Sequence, residues 1–290
     1  MRMHTDCEAV FFVSSSGHCT LKCPYCIVNP VAKMEPSLNF DDMAFLLKRF
    51  EKTVFLTFSG KGDFFAGYKK SDKFLSMLLS QNVEICLDIN GVLIHEFPEL
   101  PEKKLAKIRF MNLTMHYQQI KRHHLERVWA ENARILIDRK GSGMLLGTII
   151  SPELKACWEE SLVFYEKEIF NRTGKQLVLI RDINGDFGEG EASLLRSLEN
   201  RFSSMVEYVH QEDFSEIFRG REEVLCPAGN TYFRIWNTGE VQGCPMVPEL
   251  SASGNLKERK LHTRESLFRC TEPKYCDCNI IEGLGKMVYE

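Results

Sequence analysis

The chain has 290 residues, 44% of them hydrophobic, with 37 basic against 40 acidic side chains and a formal net charge of −3. That is enough apolar material for one large or two modest domains; it excludes a disordered chain, and the slight acidity without a basic, aromatic-interleaved stretch argues against nucleic-acid binding. No apolar run approaches the roughly 18 residues of a membrane span, and Met1-Arg2-Met3-His4-Thr5-Asp6-Cys7 lacks a signal-peptide pattern, so a reducing, oxygen-poor cytoplasm is expected.

Ala9 to Val13 is an apolar run that predicts a buried strand, left through Ser14-Ser15-Ser16-Gly17. Cys19-Thr20-Leu21-Lys22-Cys23-Pro24-Tyr25-Cys26 follows directly. Asn39 caps a predicted helix through Arg49, with Met43, Leu46, Leu47 and Phe50 at helical spacing. Thr53 to Phe58 reads as a second strand. Asp72 then opens a helix holding Phe74, Leu75, Leu78 and Leu79, and Val83 to Ile89 is a third strand ending in Asn90-Gly91. Lys107 to Met115 is the fourth strand, a polar helix spans Arg122 to Ile137, and Met144 to Ile150 is the fifth strand. Ser151-Pro152-Glu153 opens a helix that runs to Asn171, with proline in its first turn, and Lys175 to Ile180 is the sixth strand.

Alternating strands and helices make a parallel sheet with helical crossovers. The span is too short for a closed eight-stranded barrel of about 250 residues. It predicts an α/β fold, a partial (β/α)6 TIM-like barrel, with ligands at the C-terminal strand ends. Glu189 to Val209 is helical in pattern. Beyond it, Tyr232 to Trp236 and Glu240 to Gly243 form a predicted hairpin around Asn237-Thr238-Gly239. A short helical segment is expected near Leu267-Phe268. The expected domains are a barrel over 1–210 and a small C-terminal hairpin and helix domain over 211–290.

Eight of the eleven cysteines fall in two clusters, at 19, 23 and 26 and at 226, 244, 270, 276 and 278, the distribution of metal sites. Three thiolates on one short loop suit an iron–sulfur cluster. Three rather than four leave one iron without a protein ligand and open to a substrate or cofactor. Zinc would want four closed ligands, usually from two C-x2-C pairs, and Cys19 would be surplus. The C-x3-C-x2-C loop after a first strand, with Tyr25 just before the third cysteine, resembles the radical S-adenosylmethionine (radical SAM) enzymes.

That resemblance implies a [4Fe–4S] cluster on Cys19, Cys23 and Cys26 whose open iron chelates the amino and carboxylate groups of SAM. An electron, from a donor such as flavodoxin or ferredoxin, breaks a C–S bond of the sulfonium. The resulting 5′-deoxyadenosyl radical removes a hydrogen atom from the substrate. By the same resemblance, SAM contacts are expected from Ser59, Gly60 and Lys61 after strand two, with Asp63 near the place of a family glutamate. Asn90 shapes the pocket floor. Asn112, Thr114 and His116 present one face of strand four, Gly147 to Ile150, with Thr148, stacks against adenine, and the Tyr25 carbonyl lies near the adenine amino group. The Ser59–Asp63 stretch also reads as an ordinary glycine-rich turn, Asn90-Gly91 as a turn signal, and His116 as a loop histidine or a substrate contact. Arg181 and Asp182, just past the sixth strand, are substrate-binding candidates, arginine being suited to carboxylate or phosphate, or else a surface ion pair.

Cys226-x17-Cys244, spanning the hairpin, resembles the auxiliary-cluster ("twitch", or SPASM-like) region of some radical SAM enzymes. One auxiliary [4Fe–4S] cluster on Cys226, Cys244, Cys276 and Cys278 is expected, with Cys270 a replacement ligand, a hydrogen-atom donor or a buried residue; a zinc site on the same thiolates is the alternative. Cys7, Cys86 and Cys157 are expected in the core or at the surface. An auxiliary cluster that accepts an electron from the substrate favours a net oxidation, a dehydrogenation or cross-link, of a small molecule such as a sugar, aminocyclitol or nucleotide derivative. The first strand starts near Met1, so no N-terminal peptide-recognition domain is expected. The alternatives are modification of a ribosomally made peptide, a redox-neutral epimerase using Cys270, and a non-enzymatic zinc or iron–sulfur protein closed by His18.

Overall fold

The computed structural model describes residues 7–14, 18–26, 38–60, 62–67, 73–181, 202–208, 224–244, 247 and 253–270. Strands β1 (Ala9–Ser14), β2 (Val54–Ser59), β3 (Val83–Ile89), β4 (Ile108–Thr114), β5 (Met144–Ile150), β6 (Leu177–Arg181) and β7 (Val206–Tyr208) lie side by side in chain order. Every neighbouring pair among them is parallel, as helical crossovers require. The crossovers carry α1 (Phe40–Leu47), α2 (Phe64–Gly67), α3 (Phe74–Leu78), α4 (Glu102–Leu105), α5 (Tyr117–Arg122), α6 (Glu126–Lys140), α7 (Pro152–Ala156), α8 (Trp158–Tyr165) and α9 (Asn171–Thr173). This is the partial TIM-like barrel expected from the sequence.

After the barrel come β8 (Val224–Cys226), β9 (Tyr232–Ile235), β10 (Glu240–Gln242), β11 (Gly254–Asn255), β12 (Lys260–Leu261) and β13 (Phe268–Cys270). β9 and β10 form the expected hairpin. β9 also pairs in parallel with β1, so barrel and hairpin share one 11-stranded sheet, β12-β11-β10-β9-β1-β2-β3-β4-β5-β6-β7. β8 and β13 make a separate antiparallel pair.

The strands are apolar on both faces because both faces are covered. On the outer face Phe11, Val13, Leu56, Phe58, Ile85 and Leu87 pack with Met43 and Leu46 of α1, Phe74 and Leu78 of α3, and Trp129, Ala133 and Leu136 of α6. On the inner face Val10, Phe55, Cys86, Ala228 and Tyr232 form a second cluster, against which Phe12, Phe110, Cys226, Cys244 and Phe268 pack. The inner cluster is the barrel floor, and the C-terminal region is built onto it.

Several local expectations are corrected. The helix expected over Arg122 to Ile137 is two helices, α5 and α6, separated at His123-His124-Leu125, where His124 takes φ +56. The helix expected to run to Asn171 breaks at Cys157 and ends through a wider, π-type turn over Glu166–Phe170 before α9. α3 begins after Lys73, without a side-chain cap; Asp72 lies outside the described residues. Val206–Tyr208, read as the end of a helix, is a seventh parallel strand. The helical segment expected near Leu267 is β13. Two- or three-residue strands are too short for either periodicity to declare itself. α1 follows its sequence signal closely: Asn39 Oδ1 accepts from Asp42 N at 2.9 Å while Asp42 Oδ2 accepts from Asn39 N at 3.1 Å, a reciprocal cap.

Candidate active site

The cysteine loop leaves the C-terminal end of β1 at the barrel mouth. Its backbone turns at Cys23, whose carbonyl accepts from Cys26 N at 3.1 Å, and it is tied to the β2 end by Asp63 N donating to His18 O at 2.6 Å. Cys19, Cys23 and Cys26 are each half-buried. Cys19 Sγ accepts two N–H groups, from Leu21 N at 3.4 Å and from Asn90 Nδ2 at 3.3 Å. Burial pushes the Cys19 thiol up; the charges of Asp63 and Cys26 act in the same direction, while the Leu21 and Asn90 N–H donors oppose them. Metal binding at this thiol therefore displaces a proton.

Asn90 is fixed on every side. Its Nδ2 also donates to Thr20 Oγ1 at 3.0 Å, its Oδ1 accepts from Val92 N at 3.0 Å, and its carbonyl accepts from Trp129 Nε1 at 2.9 Å. Its own N–H donates to Asp63 Oδ2 at 2.7 Å. Gly91 makes this turn feasible: its φ is +77, and a Cβ there would meet Leu113 Cδ1 at 2.5 Å.

Asp63 is 2% exposed. Its Oδ1 accepts from Ala66 N at 3.1 Å, opening α2, and burial pushes its carboxyl up to about 6 against the pull of these backbone amides. It therefore works behind the loop, holding Asn90 and the start of α2.

A polar row crosses the inner face just below the mouth. Asp88 accepts from Asn112 Nδ2 at 2.7 Å and from the Ser59 hydroxyl, and burial raises its carboxyl despite both bonds. Ser59 and Asn112, two of the expected SAM contacts, are thus joined through a residue that sequence reasoning did not single out. The signal was present: Glu84, Cys86 and Asp88 alternate along β3, and Cys86 belongs to the inner cluster.

Tyr25 and His116 meet across the mouth. Tyr25 Oη and His116 Nδ1 are hydrogen-bonded at 2.7 Å, with ring centroids 5.8 Å apart. Burial pulls the imidazole down to about 4, so it is neutral near pH 7. Thr148 is buried and its Oγ1 donates to Met115 O at 2.8 Å. Thr114 is half-buried and pairs in register with Gly147. Gly60, with φ +82, lets the chain after β2 pass close to the Phe12 ring. Arg181 ends β6 opposite Ile150. Lys61, Asp182, Cys276 and Cys278 lie outside the described residues.

In the C-terminal region Cys226 and Cys244 both pack on the floor cluster. Gly243 permits the approach, since a Cβ there would lie 2.7 Å from Gly229 N. Cys226 pairs with Phe268 and Cys270 with Val224, so Cys226 and Cys270 share one face of the β8–β13 pair. Cys86 is buried, and Cys7 and Cys157 are half-buried, as expected.

Among the described residues no three His, Cys, Asp or Glu side chains converge on a point suited to one metal ion. The Cys19–Cys26 loop instead offers three separate thiols around its turn, with N–H donors already aimed at one sulfur, and that donor set fits an iron–sulfur cluster. No helix among the described residues is long and apolar enough to cross a membrane.

No protein-family model and no curated protein matches the sequence. Solved structures do match. A hexahistidine-tagged anSMEcpe with bound AdoMet (SAM) superposes with a TM-score of 0.54 at 14% identity, over 97% of this chain and 82% of that one. Native anSMEcpe with bound AdoMet and a Cp18Cys peptide gives 0.52 at 13% identity, over 96% and 82%. The fold is that of the radical SAM enzymes, the family that the cysteine loop resembles.

Proposed function

We propose that this chain is a radical SAM enzyme. Cys19, Cys23 and Cys26 hold a [4Fe–4S] cluster, and SAM lies across the mouth against Tyr25, the Ser59–Asp63 loop, Asn90, the polar face of β4 and Thr148. Cluster and SAM, when bound, would supply the radical chemistry that removes a hydrogen atom from the substrate. The observation that carries this reading is the Asn90 Nδ2 to Cys19 Sγ bond, which locks the C-x3-C-x2-C loop to the end of β3 at the ligand-binding edge of a matching fold.

The protein's own groups then have distinct tasks. Asn90 and Leu21 N orient the Cys19 sulfur and offset its negative charge. Asp63 holds Asn90. The Tyr25–His116 bond ties the cysteine loop to β4, and neutral His116 leaves no cation there to repel a sulfonium. Asp88, steadied by Ser59 and Asn112, sets a polar floor below the mouth. Arg181 and Asp182 are assigned to substrate.

A second cluster is assigned to Cys226, Cys244, Cys276 and Cys278, with Cys270 as the replacement ligand. That group, when bound, would supply an electron acceptor, which suits a net oxidation, a dehydrogenation or cross-link, of a small molecule. Modification of a peptide is the second reading, favoured by the peptide bound to one matched anSMEcpe structure. A flavodoxin or ferredoxin supplies the electron, in the cytoplasm. Anaerobic, reconstituted protein with dithionite and SAM tests the reading. 5′-Deoxyadenosine formed by wild type and abolished in Cys23→Ala supports it; none from cluster-loaded wild type overturns it.

A further inference from the structure

Arg234 is a half-buried cation on the inner face that makes no ion pair among the described residues. β9 sets it in register with Phe12 of β1 on one side and Gln242 of β10 on the other. Phe12 packs on the floor cluster, and the Arg234 guanidinium carbon lies 5.0 Å from the Phe12 ring centroid and 4.5 Å from that of Trp236. Two aromatic rings thus fix the guanidinium, at little further entropic cost to a ligand. Its Nε is buried without a hydrogen-bond partner, and it makes no ion pair among the described residues.

The acid on the neighbouring strand is already engaged: Glu240 Oε1 accepts from Gln242 Nε2 at 2.8 Å. Two further polar atoms on this face are buried and unpartnered: Gln242 Oε1, an acceptor, and Ser14 Oγ at the top of β1. Burying a guanidinium donor and an amide acceptor unpaired is costly, and a ligand that matches both removes the cost. The donor fits a carboxylate. The acceptor, one strand away, fits an N–H close to that carboxylate.

We propose that Arg234 anchors a substrate carboxylate and that Gln242 Oε1 accepts from the neighbouring N–H. The substrate is thereby an α-amino-acid derivative: a free N-acylated amino acid or the C-terminal residue of a peptide. Naming this ligand the substrate rests on the radical SAM reading. The binding site does not, and its test needs neither cluster nor SAM cleavage.

The experiment is an NMR titration of the full chain, following the Arg234 Nε–H resonance, assigned by its absence in Arg234→Lys, and the Trp236 indole N–H. The probes are N-acetylglycine, acetate and N-acetylglycinamide. N-acetylglycine is expected to give a saturable shift. Acetate, lacking the N–H, binds ~3–10-fold more weakly, the equivalent of one ordinary hydrogen bond. N-acetylglycinamide, lacking the charge, binds ~10–100-fold more weakly. Gln242→Leu is expected to bring acetate and N-acetylglycine level. Equal shifts with acid and amide, or no saturable shift in wild type, overturn the site. SAM shifting the same resonances and excluding N-acetylglycine overturns the substrate assignment, because the carboxylate is then SAM's own. The comparison of acid with amide is also read on wild type at the Trp236 indole N–H, so a variant that fails to fold does not remove the test.

Discussion

Asn90 donates its side-chain amide to Cys19 Sγ at 3.3 Å, and its own backbone N–H is held by the buried carboxylate of Asp63 at 2.7 Å. The contact joins the end of β3 to the cysteine loop after β1. It also places a positive dipole on a sulfur that carries more charge when a cluster bound to it is reduced. Asn90→Ala is therefore expected to make the reduction potential more negative by about 20–60 mV, the one-electron equivalent of a hydrogen bond of ~0.5–1.5 kcal/mol. A redox titration followed by electron paramagnetic resonance reads it directly; an unchanged potential means Asn90 does not act on the cluster.

Gly91 is the backbone condition for that contact. Gly91→Ala forces an alanine into φ +77 and drives its Cβ to 2.5 Å from Leu113 Cδ1 and 3.0 Å from Trp129 Nε1. The left-handed backbone costs about 1–2 kcal/mol and the overpacking about 1–3 kcal/mol more. A urea midpoint lowered by at least ~2 kcal/mol of stability is expected. A change within ~0.5 kcal/mol, the usual size at unconstrained sites, contradicts the tight packing around this turn.

Much of this was legible in the sequence because apolar runs bounded by turn residues mark buried parallel strands. β3 and β5 have the bounds that Val83 to Ile89 and Met144 to Ile150 suggested. The break between α5 and α6 was not legible, because His124 adopts its positive φ without a glycine or proline to announce it. Nor was the orientation of Asp63, since whether an acid after β2 faces the mouth or the core depends on how the chain turns over Phe12. Asp88 was hidden among apolar neighbours, and only the period-two reading of β3 exposes it. The pairing of β9 with β1, which brings Arg234 to the inner face, joins residues more than 200 apart and leaves no local trace.

Asp63 and His116 give the apo protein two opposed pH dependences. Asp63, raised from 3.8 to about 6, favours folding when protonated; its contribution is present at low pH and is lost as pH rises through about 6. His116, lowered from 6.5 to about 4, favours folding when neutral; its contribution is present above 6.5 and is lost as pH falls toward 4. The two offset each other in wild type and separate in variants. The stability of wild type relative to Asp63→Asn is expected to rise as pH falls from about 6 to 4, by ~2–3 kcal/mol at most. Relative to His116→Gln it is expected to fall between pH 6.5 and 4. Urea titrations at several pH values decide both signs.

Burial is what lowers His116. Tyr25→Phe is therefore expected to leave the imidazole titrating below pH 5 in the NMR signals of its ring. A return toward 6.5 would show that the hydroxyl, rather than the enclosing mouth, sets its protonation.

The most direct measurement is iron, acid-labile sulfide and zinc content after anaerobic reconstitution, for wild type and for the triple Cys19/Cys23/Cys26→Ala variant. About eight irons per chain are expected in wild type, falling to about four in the variant, with zinc negligible. Iron unchanged by loss of the three cysteines, or zinc in its place, contradicts the cluster assignment.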